Sequence, residues 1–284
     1  MKKLLLLPMA FLLLLQLAAQ NKAAYVLYNA AGKKIAYKKM IAGLNQQDIV
    51  LIGEYHNNPI SHWMELEITK DCQTTRKLVL GAEMFEQDNQ PALDSYLQGK
   101  LTAKGLDSAA RLWSNYKTDY APLVNFAKEN KIAFAATNIP RRYASVVSKG
   151  GFDALDSISG KEKTWMAPLP IKYDSELPGY KNMMEMMAGH GSVNMPKAQA
   201  IKDATMAYFI LKYFVPGSLF IHYNGSYHSD NHDGIVWHLQ QSQPTLKIAT
   251  VTTVSQKDIF KLLAENKGKA DYIICVDEDM TGTY

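Results

Sequence analysis

Four apolar runs along this chain each stop abruptly in a polar or charged cluster. Ile49-Val50-Leu51-Ile52 gives way to Gly53-Glu54-Tyr55-His56-Asn57-Asn58-Pro59, and Leu78-Val79-Leu80 to Gly81-Ala82-Glu83. Ile132-Ala133-Phe134-Ala135-Ala136 is followed by Thr137-Asn138-Ile139-Pro140-Arg141-Arg142, and Leu219-Phe220-Ile221 by His222-Tyr223-Asn224-Gly225-Ser226-Tyr227-His228. Runs that are apolar throughout, without alternation, suit strands buried on both faces, as in parallel sheets. Residues 246–251 and 272–276 add two more such strands.

The intervals carry helical signals. Asn58 is placed to cap a helix beginning at Pro59 and reaching about Cys72, and Asp88 to cap one around residues 92–97. A weakly punctuated helical stretch covers residues 101–116. Asp119 and Pro122 mark the entry to a firmer one, Met195-Pro196 opens a helix that ends before Pro216-Gly217, and shorter helices are expected near 234–240 and 256–264. Residues 25–28 and 34–37, flanking Gly32, predict a hairpin on one sheet edge. The alternation predicts an α/β fold, a mostly parallel central sheet flanked by helices.

Between about residues 157 and 195 the rhythm changes. Pro168, Pro170 and Pro178 interrupt the chain before the Met-dense stretch Tyr180-Lys181-Asn182-Met183-Met184-Glu185-Met186-Met187-Ala188-Gly189-His190. This is too long for a plain strand connection, and it predicts a helical insertion acting as a lid or subdomain over the sheet edge. Flexible, polarizable thioethers such as those of Met183, Met184 and Met187 can mould to a large flat apolar ligand, although a Met stripe more often packs a small core. His190 reads equally as a ligand or as a helix-end histidine facing terminal carbonyls.

Composition narrows the class. With 284 residues, 47% hydrophobic and 20% charged, the chain can bury a substantial core. Lys2-Lys3, a Leu-rich run and Gln16-Leu17-Ala18-Ala19 form a secretory signal over residues 1–19, leaving 20–284 as a single domain with its insertion. Cleavage removes two lysines and no acid, so the formal charge falls from +4 to +2, which argues against nucleic acid as a partner. No cysteine follows the leader to carry a lipid, so the expected location is the periplasm or the exterior. Cys72 and Cys275, the only two, are expected as buried free thiols.

Parallel strands deliver distant residues to one edge, and open α/β sheets bind ligands at the carboxyl end. His56, His222 and His228, with the oxygens of Glu54 and Glu83, form a donor set for a divalent ion such as Zn, Mn or Co that could activate water. Arg141, nearest its strand end, could hold an anionic group, whereas Arg142 is expected to face solvent. The blander reading has these groups satisfying loop backbone and structural ion pairs.

The segment from Ile52 to Pro59 with His62, Glu83-Met84-Phe85 followed by Gln87 and Gln90, Asn138-Ile139-Pro140-Arg141, Lys202-Asp203-Ala204-Thr205-Met206-Ala207, and Asn224-Gly225 with His228 together resemble the ChaN-like haem-binding uptake family, within the Tiki/TraB/erythromycin-esterase-like superfamily. The resemblance implies an exported haem-binding protein of haem or iron acquisition, a homodimer, and outer-membrane uptake components as partners. It also implies a tyrosine ligand to haem iron, leaving Tyr180, Tyr223 and Tyr227 open. Hydrolytic members of the wider group imply the alternative, a divalent-metal-dependent hydrolase. Glu54 and His56 are then central, His56 or Glu83 is base or ligand, Arg141 an oxyanion or carboxylate holder, and His228 ligand or acid.

Overall fold

The structure, a computed structural model, describes residues 22–186 and 192–284, with the backbone alone at Met186. The signal segment, Met187 and His190 lie outside them. Among the described residues seven strands form one sheet: β1 (Tyr25–Asn29), β2 (Ile49–Glu54), β3 (Leu78–Glu86), β4 (Ala133–Asn138), β5 (Leu219–Gly225), β6 (Ile248–Gln256) and β7 (Tyr272–Asp277). Their order is β1-β7-β6-β2-β5-β3-β4, and every neighbouring pair is parallel except β1 with β7. The mostly parallel sheet flanked by helices is therefore as the apolar runs predict.

Strand parity sorts the core. Val50 and Ile52 of β2, Leu80 and Ala82 of β3, and Ile221 and Tyr223 of β5 join one apolar cluster, under the helices Pro59–Gln73, Gln90–Leu97 and Ala121–Glu129. Ile49, Leu51, Val79 and Phe220 join another, under the helices Met195–Tyr213 and Ile235–Ser242. Both faces are thus covered, which is why the strands read as unbroken apolar runs.

β5 returns from the long Met195–Tyr213 helix to lie between β2 and β3, with Glu54 paired to Gly225 in register. The chain leaves β2 toward β3 and β4 on one side, and after β5 continues to β6 and β7 on the other. The carboxyl ends at this switch are where such sheets hold ligands.

The insertion packs back onto the domain. Leu155 and Met166 share a small cluster with Ile139, Tyr143 and Val147 and with Ala198 and Ile201 of the long helix. Its Met-containing helix, Pro178–Met186, is tied down by buried Tyr180, whose hydroxyl donates to Asp203 Oδ2 at 2.9 Å.

Several local expectations are corrected. The second arm of the hairpin is reduced to a bridge between Tyr28 and Lys34, and Tyr37 starts a helix instead, Tyr37–Leu44. No helix forms near 256–264: the Gln256 amide donates to the Lys261 carbonyl at 2.8 Å and accepts from Leu263 N–H, holding an irregular loop that sends Ile259 and Leu262 into a core with Tyr28. Asp88 caps nothing, because its carboxylate is taken by Arg111 and Arg142. The stretch 101–116 is α-helical over Ala103–Ala109, and its last residue starts a separate π-helical turn, Tyr116–Tyr120. Both cysteines are buried and free.

Candidate functional site

A cavity of about 590 Å³ opens at the carboxyl ends of β2, β3 and β5, and its lining includes Glu54, His56, Glu83, Met183, Lys202 and His228. Two imidazole–carboxylate pairs face it from opposite sides of the sheet.

The first pair belongs to β2. Glu54 is even-numbered, like Val50 and Ile52, so it turns toward the Pro59–Gln73 side. Its Oε1 accepts from His56 Nδ1 at 2.6 Å and from the Tyr120 hydroxyl at 2.7 Å. Burial opposes ionisation, but the His56 hydrogen bond and the charge of the nearby His62 ring hold Glu54 well below the usual carboxylate range. His56 is only partly covered. Burial would lower its pKa, but the Glu54 hydrogen bond and the Glu83 charge raise it above the ordinary value. Its ring stands edge-on to Trp113, with centroids 4.9 Å apart.

The second pair belongs to β3 and the residues beyond β5. Glu83 is odd-numbered and turns to the other face, where its Oε2 accepts the Gly225 N–H at 2.8 Å and its Oε1 lies 3.1 Å from His228 Nε2. His228 Nδ1 meets Asp203 Oδ1 at 2.5 Å, so the imidazole sits between two buried carboxylates. Burial would depress His228, but the charges of Glu83 and Asp203 push it up to about 9. Despite its burial, Glu83 is held far below its ordinary value by the His228 charge.

Gly225 lets the two faces meet. A Cβ there would lie 2.8 Å from both Cε1 and Nε2 of His56 and 3.5 Å from Glu83 Oε2, so only glycine admits the His56 ring this close.

Other predicted residues are placed elsewhere. His222 is fully buried within β5, bonded to Thr137 Oγ1 at 2.7 Å and Asn224 Oδ1 at 3.0 Å, and burial pushes it down to about 4, so it is a neutral core histidine away from the cavity lining. Tyr223 turns into the core and meets the Thr69 hydroxyl at 2.5 Å. Tyr180 is buried against Asp203. Of the three candidate tyrosines, Tyr227 lines the cavity, with its hydroxyl on the Gly179 carbonyl at 2.7 Å. Met183 lines it too, whereas Met184 is exposed and outside the lining.

Arg141 is exposed and lines a separate cleft of about 770 Å³ with Glu86, Arg111 and Trp113. Arg142, expected to face solvent, is exposed and pairs with Asp88 at 2.8 Å. The clefts share Tyr284 as a wall. Asp203, Tyr120, Lys202 and Glu65 were not singled out from sequence as site residues. An acid between Ile201 and Ala204 on an otherwise apolar helix face is the signal that would have found Asp203.

Strand ends that gather paired acids and imidazoles around a cavity define an α/β protein with an open pocket at its sheet switch. Residues 40–239 match the model of the family described as haem-binding uptake, Tiki superfamily, ChaN, and the chain belongs to that family. Among solved structures, one describing cofacial haem binding to ChaN of Campylobacter jejuni is similar in fold, with a TM-score of 0.66 at 20% identity, covering 88% of this chain and 96% of that one. A protein of Bacillus cereus follows the fold with a TM-score of 0.52 at 11% identity, over 89% of this chain and 94% of that one. The chloroplastic protein RETICULATA-RELATED 5 of Arabidopsis thaliana is 24% identical over 202 residues, which are 65% of this chain and 27% of that protein, so the chain spans about a quarter of that relative.

Proposed function

We propose that this chain is an exported haem-binding protein of haem or iron acquisition, with haem seated in the cavity at the ends of β2, β3 and β5. The observation that carries the reading is this cavity in a chain of the haem-binding uptake family. Its volume, about 590 Å³, falls in the range of small-molecule and cofactor pockets. Met183 supplies a polarizable wall, Lys202 a cation for a propionate, and Tyr227 a phenol at the rim. Tyr227, the candidate tyrosine on the cavity wall, would hold the iron through its phenol oxygen, at the cost of its bond to the Gly179 carbonyl. The described part of the insertion, with Met183 on the cavity wall, serves as the lid. Export by the leader, assembly as a homodimer and exchange with outer-membrane uptake components belong to the same reading.

Adding haem to the purified protein should give a saturable Soret change at a defined stoichiometry. A change that grows in proportion to added haem without saturating would overturn the proposal.

A second reading rests on the two imidazole–carboxylate pairs that share the cavity, a donor set for a metal-assisted hydrolase with His56 or Glu83 as base or ligand and His228 as acid. Hydrolysis of an ester or peptide panel that is abolished by chelator and restored by Zn, Mn or Co would favour it. Inactivity across the panel with every metal would exclude it.

A further inference from the structure

Behind the cavity, on the Pro59–Gln73 side of the sheet, three side chains turn atoms able to ligate a metal toward one another. Glu54 uses Oε1 for His56 and Tyr120, while its Oε2 is buried with no hydrogen-bond partner. His62 Nδ1 likewise makes no hydrogen bond, only ion-pair contacts to the carboxylates, and both oxygens of Glu65, a residue with no exposed surface, lack a hydrogen-bond partner too. His62 and Glu65 lie one helical turn apart on the Pro59–Gln73 helix, so they face the end of β2 together.

The geometry is that of a small coordination shell. His62 Nδ1 stands 3.3 Å from Glu54 Oε2 and 3.5 Å from Glu65 Oε2, and one donor atom from each residue falls within 4.8 Å of the others. An ion about 2.1 Å from each donor in a tetrahedral site places its ligands about 3.4 Å apart. The other ring nitrogen, His62 Nε2, donates to the His56 carbonyl at 3.1 Å, with Asp119 Oδ2 at 3.5 Å. That bond keeps Nδ1 turned to the two carboxylates, whose charges hold a proton on the ring in the absence of metal; an ion would take that proton's place, with the ring oriented as second-shell partners orient metal-binding histidines.

We propose that Glu54, His62 and Glu65 form a divalent-metal site behind the cavity, taking an ion that accepts mixed imidazole and carboxylate ligands, Zn²⁺ or Mn²⁺. Two carboxylates and a neutral imidazole balance such an ion, which would give Glu54 Oε2, His62 Nδ1 and one oxygen of Glu65 a partner. Because Glu54 Oε1 orients His56, the ion would fix the wall of the cavity from behind. Bound protons are the competing way to hold these groups together. The site uses none of the groups proposed to hold haem, and it is tested on haem-free protein.

Protein produced in defined medium containing Zn or Mn should carry about one equivalent of metal per chain by mass spectrometry. X-ray absorption at the metal edge should show only nitrogen and oxygen neighbours at about 2.0–2.2 Å, with scattering from one imidazole. Glu65→Gln, nearly identical in shape, and His62→Gln should each lower metal content at least about tenfold, while Glu83→Gln retains the full equivalent. Wild-type protein without stoichiometric metal from either medium would overturn the proposal. So would absorption showing two or more imidazoles, a measurement that needs no variant to fold. Loss of metal in Glu83→Gln with retention in Glu65→Gln would place the ion in the cavity instead and equally overturn it.

Discussion

Glu83 and His228, one near the end of β3 and the other just beyond β5, meet at 3.1 Å in a buried contact. The contact makes stability depend on pH from both sides. The His228 imidazole, at about 9 in the folded chain against an ordinary 6.5, stabilises fully below pH 6.5, and that contribution is lost as pH rises through about 9. Glu83 is depressed, so its contribution is full above its ordinary 4.5 and is lost as pH falls through its lowered value. Urea unfolding should therefore be hardest near pH 5–6, and on the order of 3 kcal/mol should disappear by pH 10. A His228→Gln variant should lose the alkaline part of that slope; an unchanged slope would show that the charge pair is not its source.

Gly225→Ala tests the contact between the faces. A methyl group 2.8 Å from the His56 ring forces the imidazole off Glu54 or shifts the end of β5. Overpacking of this kind costs about 1–3 kcal/mol. Haem affinity should fall together with stability, as read by urea unfolding and Soret titration. Wild-type values for both would mean that the ring has room to give.

How the sequence reads here follows from the physics of each signal. Burial on both faces makes a strand apolar throughout, so β2, β3, β4 and β5 were legible, and Asn58 before Pro59 marked its helix correctly. Side-chain orientation near a strand end was not legible as function. Tyr223 and Tyr227 are four residues apart in one polar cluster, but Tyr223 is still inside β5 and turns into the core, whereas Tyr227 lies past its end. His222 looked like a ligand because it begins a polar run, but two side-chain partners satisfy it inside the sheet. Asp203 stands out locally only as an acid on an apolar helix face; its partners, His228 and Tyr180, come from elements far off in the chain, which no local pattern records.

The two tyrosines give a matched pair of variants. Tyr227→Phe should alter the haem spectrum, removing the phenolate charge-transfer band, and lower affinity by about tenfold or more with little loss of stability. Tyr223→Phe should leave the spectrum unchanged and cost about 1 kcal/mol through the lost Thr69 bond. An unaltered spectrum in Tyr227→Phe would remove that residue as the axial ligand.

The helix that carries His62 and Glu65 is held at its start by Asn58, whose side-chain oxygen accepts from Ile60 and Ser61 N–H at 3.0 Å each. Asn58→Ala should cost about 1 kcal/mol in urea unfolding. Asn58→Asp keeps an acceptor and should restore most of that loss. Equal losses in both variants would show that the cap is not the source.

Asp203 connects the insertion to the site, because one oxygen meets His228 and the other accepts from Tyr180 on the Pro178–Met186 helix. Asp203→Asn removes a charge from both contacts at once. The histidine loses one of the two charges that raise it, so its titration should move down from about 9. The Tyr180 hydroxyl keeps a neutral acceptor but loses a charge-assisted bond, which is about twice as strong as a neutral one. The Pro178–Met186 helix should then be cut faster in limited proteolysis, while the rest of the domain keeps its wild-type pattern. Tyr180→Phe separates the two effects: cleavage should rise as in Asp203→Asn, and the histidine titration should stay in place. If Asp203→Asn changes neither cleavage nor titration, the insertion is held by its apolar contacts and by the bonds of Gly179 with Tyr227 and Asp233, and the buried acid is not what joins it to the cavity.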